Sequence, residues 1–380
     1  MATGFPTKAN WAAGDVLTAS AMDDLAGTVN LMSNASASQG SALLSNASGT
    51  SFAYNPLSAA GKNGVINGGM DIAQRGTSIN TASATFAYTL DRLWVYSNGP
   101  AVTTSQQVTG DTTNLPNIQY CARLQRQSGQ TSSASTVWNF AIETKDSIRF
   151  AGQTVTISFY ARKSSTLTSG SSLAGTLYSG TGTDQNGLGG FTGQATVAST
   201  YPTITTTWAR YTATGTVSAS ATELRIEFGV TWGSGTAGAN DYVEVTGVQM
   251  ETGSIPTAFS RAGGNIQGEL AACQRYYYRV YTVVQAYLFA FSYNSSSIQF
   301  NYRLPVTMRT SPTTLDTLNI NIQDISIGTT YTGSTISINS STPDSVFCVQ
   351  GGYGGALTTY RPYNVIGNGT LGYLGFGAEL

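Results

Sequence analysis

The sequence predicts a mainly β fold, and two features of its composition carry the prediction. Charged residues make up 10% of the 380 residues, whereas a typical globular protein has about a quarter. Glycine is abundant, at 43 residues, and threonine, valine and tyrosine recur between the glycines. Long solvated helices need more lysine and glutamate than this, while β-branched and aromatic residues separated by glycines favour strands joined by tight turns.

Residues 1–60 differ from the rest and are predicted to form a helical attachment segment followed by a linker. Ser20 and Asp23 have the spacing of a capping box for a helix that begins near Ala21. Such a short helix is marginal alone, so we expect it to pack against copies of itself, against another protein, or on its own domain. Residues 33–60, rich in Ser, Asn, Ala and Gly, have the composition of a linker. The apolar seam of the predicted helix consists of Met22, Leu25, Val29 and Met32.

Residues 61–262 are predicted to form a two-sheet β-sandwich, most simply a jelly roll. Apolar residues alternate with polar ones along several segments, which is typical of half-buried strands. Gly247 marks a slip in the alternation and predicts a bulge near a sheet edge, and Pro256 prevents further central pairing. The clearest segments are Tyr88–Tyr96, Thr136–Ile142, Thr154–Ala161, Thr207–Ala213, Thr222–Val230 and the strand that starts at Asp241.

Beyond the sandwich, residues 263–279 are predicted to be a connecting helix and residues 280–380 a terminal β-sandwich. Ile266, Leu270 and Cys273 fall on one helical stripe. From Tyr276 onward the pattern again favours strands, with one break at Leu304–Pro312.

Charge and cysteine content exclude several classes of function. The net charge is −1 with 18 Lys and Arg, too few for a basic stripe that neutralises many phosphates, so nucleic-acid binding is not expected. The start of the chain has no signal-peptide h-region, and the apolar runs are interrupted, so membrane insertion is not expected either. Three widely spaced cysteines without any histidine make a zinc site unlikely to be encoded and predict reduced, packed thiols.

The residue types needed for catalysis are sparse. The absence of histidine removes the usual general base for a serine or cysteine nucleophile. A glycosidase needs only two carboxylates, but the 19 acidic residues are scattered, and the short repeats of a β-helix depolymerase are missing. We therefore expect a non-catalytic protein without a cofactor.

Tyrosine is distributed unevenly and points to a binding surface. Of 21 tyrosines, 12 lie between Tyr276 and Tyr373, where charge is scarcest. Rings beside Asn, Ser and Thr suit sugar faces, although the same rings also fill strand cores or subunit interfaces. Trp232, on a loop flanked by glycine, is either a sugar platform or a core residue. The glycan-binding candidates are Tyr287, Tyr293, Tyr302, Tyr353, Tyr363 and Trp232.

Five short motifs in order resemble the fibre proteins of tailed bacteriophages and phage-like particles. None of them is specific alone, but together they extend over nearly the whole chain. They are Trp11-Ala-Ala-Gly-Asp-Val-Leu-Thr-Ala19, Asn67-Gly-Gly-Met-Asp-Ile-Ala-Gln-Arg-Gly76, Gly247-Val-Gln-Met-Glu-Thr-Gly253, Cys273-Gln-Arg-Tyr-Tyr277 and Ala378-Glu-Leu380.

This resemblance implies a homotrimeric head or tail fibre of a virion, made in the bacterial cytoplasm, that adheres to host surface glycans. The sandwich is then expected to be similar to a carbohydrate-binding module, and such modules can hold a structural calcium, with Asp71, Asp241 or Glu244 as ligands. Two alternatives remain, a polysaccharide-degrading tailspike and a purely structural capsid decoration protein. The candidates for docking to other virion proteins are Trp11, Val16, Leu17, Met22 and Leu25.

Overall fold

The computed structural model describes residues 41–45, 52–56, 61–282, 288–333, 335–368 and 372–380. It confirms a mainly β protein with a jelly-roll-like sandwich. The predicted helix at residues 21–32 lies outside the described residues. The strands are β1 (Ser41–Ser45), β2 (Phe52–Pro56), β3 (Ser78–Thr81), β4 (Phe86–Tyr88), β5 (Trp94–Ser97), β6 (Val102–Val108), β7 (Tyr120–Arg126), β8 (Thr136–Ile142), β9 (Thr154–Lys163), β10 (Ser172–Gly180), β11 (Ala195–Thr200), β12 (Ala209–Thr216), β13 (Glu223–Thr231), β14 (Tyr242–Thr252), β15 (Tyr277–Thr282), β16 (Leu288–Asn294), β17 (Ser297–Arg303), β18 (Thr314–Leu318), β19 (Ile320–Asp324), β20 (Thr330–Thr332), β21 (Thr335–Thr342), β22 (Ser345–Gly351), β23 (Pro362–Gly367) and β24 (Gly372–Gly377).

Helical structure in the described residues is short. A one-turn helix α1 (Thr144–Ser147) continues into a 3₁₀ turn (Ile148–Phe150), and a longer helix α2 spans Ile266–Gln274. No helix in these ranges has the length and apolar character needed to cross a bilayer.

Two six-stranded antiparallel sheets form the sandwich. Sheet A has the order β11-β10-β13-β8-β5-β4, and sheet B has the order β12-β9-β14-β7-β6-β3. Their inner faces meet in one apolar core, in which the rings of Phe159 from sheet B and Phe228 from sheet A pack edge to face with centroids 4.7 Å apart. Burying such side chains stabilises the fold by about 1.5–3 kcal/mol each.

The alternation in the sequence correctly identified the inward residues of the sandwich. Val155, Ile157 and Phe159 of β9 are completely buried, as predicted. The same holds for Leu224 and Ile226 of β13, because successive side chains of a strand point to opposite faces.

The predicted bulge at Gly247 is present, but it does not lie at a sheet edge. The pairing of β14 with β9 slips between Thr246 and Gln249, and Gly247 has a φ of 58°, which glycine adopts without strain. The slip lets Val245 before it and Val248 after it both face the core. Since β14 pairs with β9 on one side and β7 on the other, the bulge lies in the middle of sheet B.

The terminal β region consists of two further antiparallel sheets around a separate core. Sheet C has the order β15-β24-β18, and sheet D has the order β20-β19-β23-β16-β17-β22-β21. Leu374 and Phe376 from sheet C pack with Ile298, Ile322 and Val365 from sheet D, and all five are fully buried.

Helix α2 is where the sequence predicted a connecting helix, but the predicted apolar stripe is only partly correct. Ile266 is 50% exposed, whereas Glu269 and Cys273 are completely buried. The Glu269 carboxylate accepts hydrogen bonds from the backbone N–H groups of Asn67 and Gly263, and its burial raises its pKa. The helix therefore contacts the sandwich through a carboxylate that accepts hydrogen bonds from backbone N–H groups. Apolar periodicity in the sequence does not reveal such a contact.

The motif that follows α2 forms part of a joint between the sandwich and the terminal β region. Arg275 pairs with Glu143 at 2.9 Å, and the Tyr276 hydroxyl donates to the same carboxylate at 2.9 Å. The Arg92 guanidinium lies 3.5 Å from the centroid of the Tyr276 ring. Cation–π contacts of this kind contribute about 1–2 kcal/mol when buried.

Residues 378–380, at the other end of the terminal β region, contact the sandwich at the same place. The Glu379 carboxylate contacts both Arg75, at 3.1 Å, and Arg92. The Tyr88 hydroxyl donates to the Leu380 carbonyl at 2.8 Å, and Arg309 donates to the carbonyls of residues 378 and 379. The Arg75 guanidinium also lies 3.7 Å from the centroid of the Tyr277 ring. We call Arg75, Arg92, Glu143, Tyr276, Tyr277 and Glu379 the joint.

Part of the predicted linker forms a hairpin. β1 and β2 pair in an antiparallel register that joins Ser41 to Pro56 and Ser45 to Phe52. A composition rich in Ser, Asn and Ala thus does not prevent local strand pairing when the segment also contains residues with strand propensity.

The three cysteines are free and completely buried, as the sequence predicted. Burial raises the pKa of Cys348 to about 12 and raises the pKa values of Cys121 and Cys273 as well.

We expect all three thiols to be unreactive toward a thiol reagent such as Ellman's reagent in the native protein at pH 8. Reaction requires an accessible thiolate, and burial removes both the thiolate and the access. Reaction of three thiols per chain is expected only after unfolding in urea. Rapid labelling of any one of them in buffer would contradict the packing described here.

Candidate functional site

Three aromatic rings project from one face of strand β16. Phe289, Phe291 and Tyr293 are 68%, 55% and 45% exposed, whereas Ala290 and Ser292 between them are completely buried. Alternate residues of a strand lie about 6.6 Å apart, so the rings follow one another along β16, although its pairing with β17 slips between Ser292 and Asn294. We call Phe289, Phe291 and Tyr293 the ring ladder.

Uncharged side chains flank the ring ladder on the neighbouring strands of sheet D. Phe291 is paired with Gln299 of β17 and with Pro362 of β23. Phe289 is paired with Asn364, whose buried Oδ1 has no hydrogen-bond partner. Apolar rings next to amides, without a nearby charge among these partners, suit a neutral ligand that offers both C–H surface and hydroxyls.

The structure brings one of the predicted glycan-binding residues, Tyr293, to this surface. Tyr287 lies outside the described residues. Tyr302 is half-buried and points to the other side of sheet D, where it stacks between Tyr278 and Phe376 at 5.8 and 5.7 Å. Its hydroxyl also lies 2.7 Å from that of Tyr278.

The expected exposure of Tyr353 and Tyr363 is wrong, and of the two alternatives for Trp232 the structure shows the core residue. Tyr353 is 5% exposed and Tyr363 is completely buried, where its hydroxyl accepts a hydrogen bond from the Thr358 N–H. Trp232 is 1% exposed, and its Nε1 donates to the Thr136 hydroxyl at 2.9 Å, so it is a core residue. Polar neighbours in the sequence do not reveal whether a ring on a loop or a strand faces the core or the solvent.

The other predicted residues either lie outside the described residues or form ion pairs with arginine. The virion-docking candidates Trp11, Val16, Leu17, Met22 and Leu25 lie outside the described residues.

The calcium candidates are all paired with arginine. Asp241 contacts Arg126 at 2.7 Å, and Asp71 contacts Arg261 at 2.7 Å. Glu244 contacts two arginines, Arg123 at 2.6 Å and Arg162. In the ranges described, no cluster of three or more His, Cys, Asp or Glu side chains has the arrangement of a metal site. The negative charges of these residues are therefore compensated within the protein.

The sequence analysis missed Phe289 and Phe291, although the signal was present. The segment Phe289-Ala-Phe-Ser-Tyr293 places a ring at every second position and small residues between them. Alternation of this kind identifies a strand with one large face, but it does not say that the large residues face solvent.

The fold and the ring ladder define a mainly β protein that combines a jelly-roll-like sandwich with an exposed aromatic face. No family model and no curated protein matches the sequence. Among solved structures, it is similar to the enzymatically active domain of bacteriophage CBA120 tailspike protein 4, with 15% identity and a TM-score of 0.31 over 50% of this chain and 21% of that chain.

Two carbohydrate-binding modules are also similar at this level. A CBM4 structure has 18% identity and a TM-score of 0.24 over 35% of this chain and 71% of its own. The CBM22-1 xylan-binding domain of Paenibacillus barcinonensis Xyn10C has 11% identity and a TM-score of 0.29 over 51% of this chain and 97% of its own. Likenesses of this size do not assign the chain to a family.

Proposed function

We propose that this protein is a non-catalytic virion fibre of a tailed bacteriophage or phage-like particle that adheres to host surface glycans. The observation that carries the proposal is the ring ladder, an exposed aromatic row flanked by amides in the terminal β region. Aromatic rings bury the apolar C–H face of a sugar, and amides satisfy its hydroxyls.

In this proposal, residues 1–60 dock to other virion proteins and three copies of the chain assemble into the fibre. The sequence motifs support the assignment to a virion, and the narrow apolar seam at residues 22–32 supports self-association. The protein is made in the bacterial cytoplasm and contacts neither nucleic acid nor the membrane interior, in line with its low charge.

One pair of acidic residues in the sandwich does not have the spacing of a glycosidase site. Glu223 and Glu227 lie on the same face of β13, and burial raises the pKa of each carboxyl. Four residues of strand separate them by about 13 Å. The paired carboxylates of glycosidases are about 5–9.5 Å apart, so these two do not form such a pair.

We expect a triple variant, Phe289→Ser, Phe291→Ser and Tyr293→Ser, to lose glycan binding without unfolding. Each ring contributes about 1 kcal/mol of contact energy, so the affinity should fall by roughly 100-fold. The measurement is retention of the labelled full-length protein on an array of bacterial surface polysaccharides. Since the rings are exposed, the thermal transition should stay nearly unchanged.

The matched control is Tyr201→Ser, because Tyr201 is a 78% exposed ring in the sandwich. It should bind as the unaltered protein does. Equal retention of the triple variant would refute the proposed surface, and depolymerisation of a polysaccharide by the purified protein would refute the non-catalytic role. Substitution is a sharper test than deletion of residues 276–380, because deletion also removes the partners of Arg92 and Glu143 in the joint.

A further inference from the structure

The outer face of sheet A forms the floor of a cleft that is separate from the ring ladder. The cleft has a volume of about 540 Å³, within the range of about 300–1,000 Å³ that holds small-molecule ligands. Tyr96, Val137 and Glu227 lie on its floor, and a glycine-rich loop at residues 187–190 forms its wall.

Hydrogen bonds hold the start of the loop at residues 187–190 against sheet A, and the loop then bends over the sheet. Trp94 donates from Nε1 to the Asn186 carbonyl at 3.1 Å, and Arg225 donates to the Gly187 carbonyl. Gly189 and Gly190 have φ angles of 82° and 101°, a backbone conformation that other residues rarely adopt. This turn leaves Leu188 at the rim, where it is 43% exposed.

The cleft is neutral but strongly polar at its floor. Among the described residues that line it, Arg225 and Glu227 are the charged ones, and they pair with each other at 3.2 Å. Tyr96 and Val137 are half-buried and supply an apolar side. A charged ligand would therefore meet no unpaired opposite charge from these residues, whereas a neutral one would meet both a ring and polar groups.

Two side chains on the outer face of sheet A, Asn139 beneath the cleft and Arg225 in its floor, each have a buried polar atom without a hydrogen-bond partner. Asn139 pairs in register with Glu227 on one side and Trp94 on the other, and it faces away from the core because Trp138 and Phe140 face into it. It is completely buried beside the Glu227 carboxylate, and its Oδ1 accepts no hydrogen bond. The Nε of Arg225 is unpaired as well.

Such groups are uncommon in folded proteins, because a buried donor or acceptor without a partner costs free energy. A sugar hydroxyl both donates and accepts hydrogen bonds. Burial raises the pKa of the Glu227 carboxyl, while the nearby Arg225 charge and a hydrogen bond from Asn139 lower it. Because Arg225 and Glu227 pair with each other, the floor favours a neutral group that can donate a hydrogen bond to Glu227.

The space for a ligand continues along the sheet at Gly229. This residue pairs with Val137 and faces the same side as Glu227, and a Cβ added to it would meet no atom within 4 Å. Since β13 and β8 are central strands, their backbone groups are already paired, so an extended peptide has no free edge to join here.

We propose that this cleft binds a short neutral oligosaccharide segment, which stacks on Tyr96 and donates a hydrogen bond from a hydroxyl to the Glu227 carboxylate. The site belongs to the sandwich and does not depend on the ring ladder of the terminal β region. It gives the chain a second, independent sugar contact.

The test is isothermal titration calorimetry of the full chain with neutral trisaccharides, namely maltotriose, cellotriose, xylotriose and β-1,4-galactotriose. We expect at least one to bind and Gly229→Leu to weaken it at least about tenfold, because the new side chain fills the cleft. Leucine is compatible with the strand there, since glycine is the weaker strand residue. Glu227→Gln should weaken binding by about tenfold through loss of a charged acceptor.

The matched control is Gly238→Leu, which also places a side chain in open space but at an exposed loop position outside the cleft. It should bind the trisaccharide as the unaltered protein does, and so should the triple variant of the ring ladder. Failure of all four trisaccharides to bind, or unchanged binding by both Gly229→Leu and Glu227→Gln, would overturn the proposal. Loss of binding in the ring-ladder variant alone would place the sugar on the terminal β region and overturn it too.

Discussion

Replacing Glu379 by alanine is expected to destabilise the protein by about 3–5 kcal/mol. Its carboxylate is 9% exposed and lies between the guanidinium groups of Arg75 and Arg92, whose side chains are 12% and 5% exposed. Removing it leaves two cations in the joint without their counter-charge. Removing one partner of a buried ion pair costs more free energy than the intact pair contributes to stability, because the remaining charge stays desolvated.

The measurement is the urea midpoint of the purified full chain, which should fall markedly for Glu379→Ala. Lys145→Ala is the matched control, because Lys145 is 55% exposed and its contact with Glu143 is 3.5 Å long. Exposed pairs contribute about 0–1 kcal/mol, so this variant should unfold close to the unaltered protein. Equal midpoints for Glu379→Ala and Lys145→Ala would show that the joint does not hold the two β regions together.

Replacing Asp241 by alanine should destabilise the sandwich by a similar amount, about 3–5 kcal/mol. Asp241 and Arg126 are both completely buried and lie 2.7 Å apart. Arg126 also donates to the Ser132 carbonyl and the Thr168 hydroxyl, and Asp241 accepts from the Thr168 N–H. This pair therefore connects three loops at one end of the sandwich.

A double variant, Asp241→Leu with Arg126→Leu, gives the sharper result for this pair. Replacing both partners by apolar residues is often nearly neutral, so the double variant should be much more stable than Asp241→Ala. Thermal unfolding followed by circular dichroism measures both. If the double variant is as unstable as the single one, the loss of stability comes from the missing loop hydrogen bonds and not from the unpaired charge of Arg126.

The sequence predicted the sandwich more successfully than the candidate site. Alternation identified the inward residues of β9 and β13 because one face of each strand is packed and the period is fixed by the backbone. Polar neighbours and nearby turns wrongly predicted exposure for Tyr353, which lies in the loop after β22, and for Tyr363, which takes the buried face of β23. Which side of sheet D is covered depends on the packing of sheet C, and that is a long-range property.

The motifs that carried the resemblance have a structural role that their spacing did not indicate. Cys273-Gln-Arg-Tyr-Tyr277 supplies Tyr276 to the joint, and Ala378-Glu-Leu380 supplies Glu379. The two segments are about a hundred residues apart in the sequence. Their meeting depends on β15 pairing with β24, a register that no local pattern encodes.

The joint also determines how a mechanical load passes through the molecule. Both the first and the last strands of the terminal β region are fastened to the sandwich at the same place, one by the covalent chain and the other by Glu379 and Leu380. Under the proposed adhesive role, a load on the ring ladder would be divided between these two attachments, and the surface would keep its orientation relative to the sandwich when its ligand is pulled.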